Sequence, residues 1–190
     1  VGNLINDSVL TPGQTGQAVA FVMPVFLVAL FVGDGHETYW RIVAFIIFAV
    51  AVITDRIDGA LARSYGMVTE FGTLADPIAD KALIGAALIG LSVLGDLPWW
   101  VTAVILVREV GVTLLRLAVL RRGVIPASRG GKLKTLVQAV AIGLFVLPLS
   151  GGWLTGAWVI MAAALVLTVI TGLDYFVSAY RDSRGRPAGH

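Results

Sequence analysis

Long apolar runs separated by short polar links constrain the fold of this chain more than any other feature. Of its 190 residues, 57% are hydrophobic and 14% are charged, whereas about a quarter of the residues in an ordinary soluble domain are charged. About 20 apolar residues suffice for a helix to span a bilayer, and no segment shows the alternation that is typical of strands. The sequence therefore predicts an all-α integral membrane protein, a bundle of six transmembrane helices.

The polar links set the expected boundaries of these helices. We expect a polar or interfacial lead-in over residues 1–17, a six-helix domain over 18–180, and a basic tail over 181–190. Pro24 interrupts the first apolar run and predicts a kink there, and Pro77 is expected in the first turn of the third helix. The six helices are expected over about 18–32, 39–62, 72–94, 99–120, 133–149 and 153–180.

The distribution of basic residues predicts how the bundle is oriented. Only Arg41 falls in or beside a link on one side, and basic residues concentrate in cytoplasmic links. Both termini and the connection between the second and third helices should therefore be cytoplasmic. The other side carries nine of the 14 Lys and Arg residues: Arg63, Arg121, Arg122, Arg129, Lys132, Lys134, Arg181, Arg184 and Arg186.

An aspartate-rich motif lies at that connection. Its pattern is D-x-x-D-G-x-x-A-R, eight residues, then G-x-x-x-D-x-x-x-D, filled by Asp55, Asp58, Gly59, Ala62, Arg63, Gly72, Asp76 and Asp80. Side chains three or four positions apart share one face of a helix. Two helices can thus present four carboxylates to one point in a cavity that opens to the cytoplasm.

Four unpaired carboxylates at this depth would be very unfavourable, so the motif needs cations. The candidates are bound divalent metals, or the lysine and arginines nearby. Oxygen ligands favour Mg²⁺ or Mn²⁺, and four aspartates can share two ions, an arrangement that suits phosphoryl transfer. The small residues Gly59, Ala62 and Gly72 leave room for a base or a diphosphate, and Arg63 can pair with a phosphate oxygen.

These residues resemble the signature of the CDP-alcohol phosphotransferase family, which moves a phospho-alcohol group from a CDP-linked donor to a second alcohol. The resemblance implies that Asp55, Asp58 and Asp76 are metal ligands and that Asp80 is both a ligand and the general base. It also implies a homodimer. By the same resemblance, the residues that hold the cytidine diphosphate are Asp58, Gly59, Ala62, Arg63 and Gly72.

Basic residues further along the chain narrow the resemblance. Arg108, Glu109 and Arg116 fall within an arc of about 100° on the fourth helix, and a G-K-x-K-T-x-x-Q stretch carries Lys132 and Lys134. Together with the aspartates, this pattern is similar to that of bacterial phosphatidylglycerophosphate synthases, which use CDP-diacylglycerol and sn-glycerol 3-phosphate and release CMP. The resemblance implies the bacterial inner membrane, lipid neighbours and no nucleic acid. Candidate ligands of the acceptor phosphate are Arg108, Arg116, Lys132 and Lys134.

Other interpretations stay open at this stage. The aspartates can be helix caps paired with Arg56, Arg63 or Lys81, and Lys132 and Lys134 can anchor a cytoplasmic link. The acceptor can be inositol phosphate, and the bundle can instead be a carboxylate-lined cation transporter or a binder of anionic lipid. The family's N-x-x-T-x-x-R element before its first helix has no counterpart, because VLTPGQTGQAVAFVMP contains no arginine.

Overall fold

The computed structural model describes the backbone of residues 12–64, 70–120 and 129–185, and within these the side chains of 21–54, 57, 81–115 and 133–177. The described residues form six α-helices and no strand, which confirms the all-α prediction. The helices are α1 (Pro12–Phe31), α2 (Thr38–Ser64), α3 (Glu70–Val93), α4 (Trp99–Leu120), α5 (Arg129–Val146) and α6 (Gly152–Gly185).

Helix α4 has the expected bounds, whereas the other five helices extend at one end or both into segments that the sequence assigned to links or termini. Helix α1 begins at Pro12, so the end of the lead-in is helical, and residues 1–11 lie outside the described residues. Helix α6 continues to Gly185, past the expected end at residue 180. Extending a formed helix costs little, so polar flanks join it readily.

Two prolines lie inside helices. Helix α1 is assigned as one helix through Pro24, and the bend expected there stays a prediction. Helix α3 begins at Glu70, so Pro77 is an interior residue and the expectation that it starts the helix is wrong. Because proline has no N–H group, the carbonyl of Thr73 lacks its usual helical donor.

The helices form two compact units, and the first contains α1, α2, α3 and residues 145–148. Helix α1 packs against both α2 and α3. The rings of Phe26 and Phe48, which are buried, lie 5.8 Å apart between centroids. Gly90 lets α3 approach α1 closely, because a Cβ atom there would lie 2.8 Å from Leu30 Cδ2.

Among the described side chains of this unit, Arg41 is the buried cation. Its Nη1 donates to Asp96 Oδ2 at 2.6 Å and to Gly35 O at 2.9 Å. Its Nε and Nη2 donate to the carbonyls of Val146 and Phe145, both at 2.8 Å. These are the last carbonyls of α5, which lack helical donors and attract positive charge. Arg41 is therefore a structural residue and not only a charge of the outer link.

The turn before α2 requires glycine. Gly33, Asp34 and Gly35 have φ angles of 64°, 56° and 74°, in the left-handed region that side chains with a Cβ atom disfavour. Gly35 is also buried against Leu94, whose side chain fills the space that a Cβ atom would need. Asp34 is the residue with a side chain that adopts a positive φ angle in this turn, and aspartate does so more readily than most residues.

The second unit contains α4, α5 up to residue 144, and α6. Helix α4 packs against α6. The buried apolar residues of this second unit include Val101 and Ile105 on α4, Ile142 on α5, and Met161 and Ala164 on α6.

Among the described residues, one helix is long and apolar enough to cross a bilayer, Gly152–Val177 of α6. This finding rests on length and composition. The remaining apolar stretches are shorter, and the six-span bundle stays a prediction. These stretches are Phe21–Gly35, Thr38–Thr54, Lys81–Val93 and Leu133–Val146.

Candidate active site

The aspartate motif lies on two helices of the first unit, as the spacing predicts. Helix α2 is assigned as one helix through Ser64, and carries Asp55, Asp58, Gly59, Ala62 and Arg63. Helix α3 carries Gly72, Asp76 and Asp80. Because both segments are helical, Asp55 and Asp58 share one face of α2, and Asp76 and Asp80 share one face of α3.

The side chains of these eight residues lie outside the described part of the chain. Among the side chains that are described, no group of three or more His, Asp or Glu residues can hold a metal ion. The proposed ligands Asp55, Asp58, Asp76 and Asp80 do not belong to that set. Their metal-binding role stays a prediction.

Arg108, Glu109 and Lys134 form an ion-pair cluster in the second unit. Lys134 Nζ donates to Glu109 Oε1, and Arg108 Nη1 lies 3.3 Å from the same oxygen. Lys134 is only 2% exposed and Glu109 is 8% exposed, so the pair is largely removed from solvent. Glu109 therefore pairs with an arginine of its own helix, Arg108, as well as with Lys134 of α5.

Lys134 has a different environment from the one its motif suggested. Helix α5 begins at Arg129, so Lys134 lies in its second turn and not at the edge of a link. Burial against Glu109 argues against a role as a cytoplasmic anchor, because such a residue keeps its ammonium group in water. The side chains of Arg116 and Lys132, the other candidate phosphate ligands, lie outside the described residues.

Helix α6 completes the surroundings of Arg108. Arg108 Nε donates to the carbonyl of Thr168 at 3.2 Å, and Nη2 donates to Thr171 Oγ1 at 2.8 Å. Gly172 lies against the same side chain, since a Cβ atom there would be 3.1 Å from Arg108 Cγ. The hydroxyl of Thr168 faces Gln138 Oε1 at 3.5 Å. Helix α6 thus surrounds the arginine with polar atoms inside an apolar sequence.

Sequence analysis missed Thr168 and Thr171. No motif includes them, and threonine is common in apolar helices because its hydroxyl can bond to a carbonyl of the preceding turn. The available signal was their spacing, since two hydroxyl residues three positions apart share a face of an otherwise apolar helix. That signal indicates a polar face without indicating which residue it contacts.

The arrangement satisfies the charges that it buries. Among the described side chains, two cations share one carboxylate, a net charge of about +1 for these three residues, and buried charges are tolerated when they are paired and hydrogen-bonded. All buried polar side-chain atoms of the described residues have hydrogen-bond partners. A cluster with excess positive charge and a partly exposed arginine is suited to binding an anion.

Comparison with known sequences identifies the class of protein. Residues 14–170 match the sequence model of the CDP-alcohol phosphatidyltransferase family, a span that includes the aspartate motif and the ion-pair cluster. The chain belongs to this family and is an enzyme of the phosphatidyltransferase type. Members of this family generally use divalent metal ions.

Individual relatives are similar over most of the chain. A probable phosphatidylglycerophosphate synthase of Mycobacterium tuberculosis (strain H37Rv) is 71% identical over 164 residues, which cover 86% of this chain and 78% of that protein. The CDP-diacylglycerol–glycerol-3-phosphate 3-phosphatidyltransferase of Bacillus subtilis is 34% identical, over 87% of this chain and 92% of its own length. The enzyme with the same name from Escherichia coli K12 is also 34% identical, over 85% and 90%.

The buried pair of Glu109 and Lys134 generates a prediction about stability. Glu109→Gln should lower the free energy of unfolding by about 3 to 5 kcal/mol, because it takes away the carboxylate that Lys134 and Arg108 share, whereas Lys134→Met should cost less, because Glu109 keeps Arg108 as a counter-ion. The double variant should lose clearly less than the sum, since both charges are then gone. Denaturant unfolding of the purified variants measures the difference, with the exposed Glu37→Gln as a control. Additive losses would contradict a direct pairing.

Proposed function

We propose that this enzyme transfers the phosphatidyl group of CDP-diacylglycerol to a hydroxyl group of sn-glycerol 3-phosphate, giving phosphatidylglycerophosphate and CMP in phospholipid biosynthesis. The observation that carries the proposal is the complete aspartate motif on α2 and α3, inside the span that matches the family. The names of the three relatives support the choice of donor and acceptor.

The donor set of the motif fits two divalent cations, Mg²⁺ or Mn²⁺. We assign them to Asp55, Asp58, Asp76 and Asp80, because carboxylate oxygens are the ligands that these hard ions prefer. When bound, the two ions neutralise the diphosphate and stabilise the attacking and leaving oxygens. The same four charges would otherwise repel one another at the membrane.

The residues of the chain supply the remaining chemistry. Asp80 accepts the proton of the acceptor hydroxyl group. The hydroxyl oxygen bonds to the phosphatidyl phosphorus, and the bond from that phosphorus to CMP breaks. Gly59, Ala62 and Gly72 leave space for the nucleotide. Arg63 pairs with a phosphate oxygen of the donor, and Asp58 contributes to both the metal site and the nucleotide site.

We assign the phosphate group of the acceptor to Arg108, Arg116, Lys132 and Lys134. A phosphate monoester carries about −1.5 to −2 charge and needs several cationic donors. Arg108 is the described member that an anion can reach, because its side chain is 16% exposed. Lys134 is paired with Glu109, so an acceptor phosphate must join or replace that carboxylate to contact it.

Exposed apolar faces support a location in the bacterial inner membrane. Large contiguous apolar patches are rare on soluble monomers, and a hydrocarbon environment explains them. Trp99, Trp100 and Trp153 are exposed at the first residues of α4 and α6, as expected for a membrane boundary. On helix α2, for example, the exposed apolar residues form one continuous stripe: Ile42, Ile46, Val50, Ile53 and Ile57.

The proposed orientation has both termini and the aspartate motif on the cytoplasmic side, and the proposed assembly is a homodimer. The charge distribution supports the orientation even without Lys134, which is buried, since eight basic residues then oppose Arg41. The homodimer rests on the family resemblance. Inositol phosphate is the alternative acceptor, and the family match argues against the carboxylate-lined cation transporter.

The transfer reaction itself is the first test. Purified protein with Mg²⁺ and CDP-diacylglycerol should release CMP when sn-glycerol 3-phosphate is added, and a chelator should stop the release. Glycerol is the matched acceptor without a phosphate group, and its kcat/KM should be lower by at least about ten- to 150-fold, the effect of losing a single charge-assisted contact. A preference for inositol phosphate would change the acceptor, and no CMP with any acceptor would overturn the proposed reaction.

Asp80→Asn tests the proposed general base. The amide cannot accept the proton, so kcat should fall by about 10²- to 10⁴-fold, while binding of CDP-diacylglycerol survives better than in Asp55→Asn or Asp76→Asn. Equilibrium binding of the donor in the presence of Mg²⁺ separates the two roles. Equal loss of donor binding in all three variants would make Asp80 one more metal ligand, and a normal rate would exclude it as the base.

Cysteine labelling tests the orientation, because the natural chain has no cysteine. Cysteines at Ser128 and Arg184 should react with a membrane-impermeant reagent only from the cytoplasmic side, and one at His36 only from outside. His36 is a suitable outer position because it is exposed, whereas its neighbour Gly35 is buried with a positive φ angle. The reverse labelling pattern would exclude the proposed orientation.

A further inference from the structure

We infer that α6 positions Arg108 for the acceptor phosphate, with Thr171 and Gly172 as the positioning residues. The inference rests on the proposed function and extends it to a helix that carries none of the motif residues. The family match ends at residue 170, so both positions lie just beyond it. The contacts of Arg108 described above supply the argument.

The hydroxyl group of Thr171 is oriented to accept a hydrogen bond from Arg108. It has one proton, and the carbonyl of Leu167 lies 2.6 Å away in the preceding turn to receive it. The carbonyl of Thr168 is a poorer acceptor at 3.4 Å. With the proton directed at Leu167, a lone pair of Thr171 Oγ1 faces Arg108 Nη2 at 2.8 Å.

Helix α6 engages one edge of the guanidinium group. Thr168 O accepts from Nε and Thr171 Oγ1 accepts from Nη2, and Glu109 accepts from Nη1 at 3.3 Å. A guanidinium group has five N–H donors, so two donors, one on each terminal nitrogen, have no partner among the described residues. Two donors held on a fixed plane suit the bidentate recognition of a phosphate.

Gly172 provides the space in which Arg108 lies along α6. A Cβ atom at this position would lie 3.1 Å from Arg108 Cγ and 3.5 Å from Nε, so the arginine would have to move by a few tenths of an ångström. Gly156, on the same helix, has no atom within 4 Å of the corresponding position. Of these two glycines, Gly172 is therefore the one at which α6 closely approaches Arg108.

Thr171→Val and Thr171→Ser form the first experiment. Valine keeps the shape and removes the acceptor, so the KM for sn-glycerol 3-phosphate should rise about five- to tenfold, the effect of one hydrogen bond. The KM for CDP-diacylglycerol should change less than twofold. Serine retains the hydroxyl and should restore the acceptor KM, a result that loss of packing alone would not give.

Gly172→Ala and Gly156→Ala form the matched pair. The alanine at 172 should raise the acceptor KM and leave the donor KM near its original value, because it displaces the arginine without altering the aspartate motif. The alanine at 156 should change neither constant. If both alanines act alike, or if the valine variant changes the donor and acceptor constants in parallel, α6 is structural and the inference is wrong.

Direct binding of radiolabelled sn-glycerol 3-phosphate without donor separates this inference from the proposed function. Weaker binding by Thr171→Val than by Thr171→Ser supports the positioning role whether or not transfer is seen. Equal binding by both variants overturns it while leaving the reaction intact. If the unmodified enzyme binds no sn-glycerol 3-phosphate, the acceptor assignment and the positioning role both fail, whereas CMP release with another acceptor would preserve the transferase chemistry.

Discussion

Compensation of buried charge is the constraint on which both units of this structure depend. Arg41 is matched by Asp96 and by three carbonyls, two of them the last acceptors of α5. Lys134 and Arg108 share one oxygen of Glu109. Each cation is held by groups from distant parts of the chain, because an uncompensated charge among apolar helices costs several kcal/mol. Pairing of charges therefore selects which helix faces can meet.

The same constraint explains why the aspartate motif implies metal ions. In the described parts of the chain, buried cations find carboxylates or carbonyls as partners. The motif instead carries four carboxylates with Arg56, Arg63 and Lys81 as the nearest basic residues in sequence. Divalent cations supply more charge per ligand than these side chains do and also accept phosphate oxygens. The positive charge that balances the four carboxylates in the folded protein would then also serve a reaction at a diphosphate.

Periodic apolar runs and spaced motifs were predictable from the sequence, whereas contacts with backbone atoms were not. Helix α4 was predicted between its observed ends because Pro98 precedes it and a basic link follows. The burial of Arg41 could not be predicted, because every residue has a backbone carbonyl and the sequence does not show which carbonyls accept from a side chain. Lys134 was misleading for another reason: its partner Glu109 is 25 positions away, and a lysine in a basic link resembles a surface residue. Thr171 was unpredictable on both grounds, because its hydroxyl donates to a backbone carbonyl and its side-chain partner, Arg108, is 63 positions away.

The length of α6 bears on the depth at which the proposed acceptor site would lie in a bilayer. Its 34 residues extend about 51 Å, whereas the hydrocarbon core of a bilayer is about 30 Å thick. With Trp153 at the outer boundary, Thr171 lies 18 residues further along the helix, about 27 Å along the axis. In the proposed orientation Arg108 therefore lies near the level of the lipid headgroups. A water-soluble phosphate ester can reach it there without entering the hydrocarbon, while the acyl chains of the donor remain among the lipid tails.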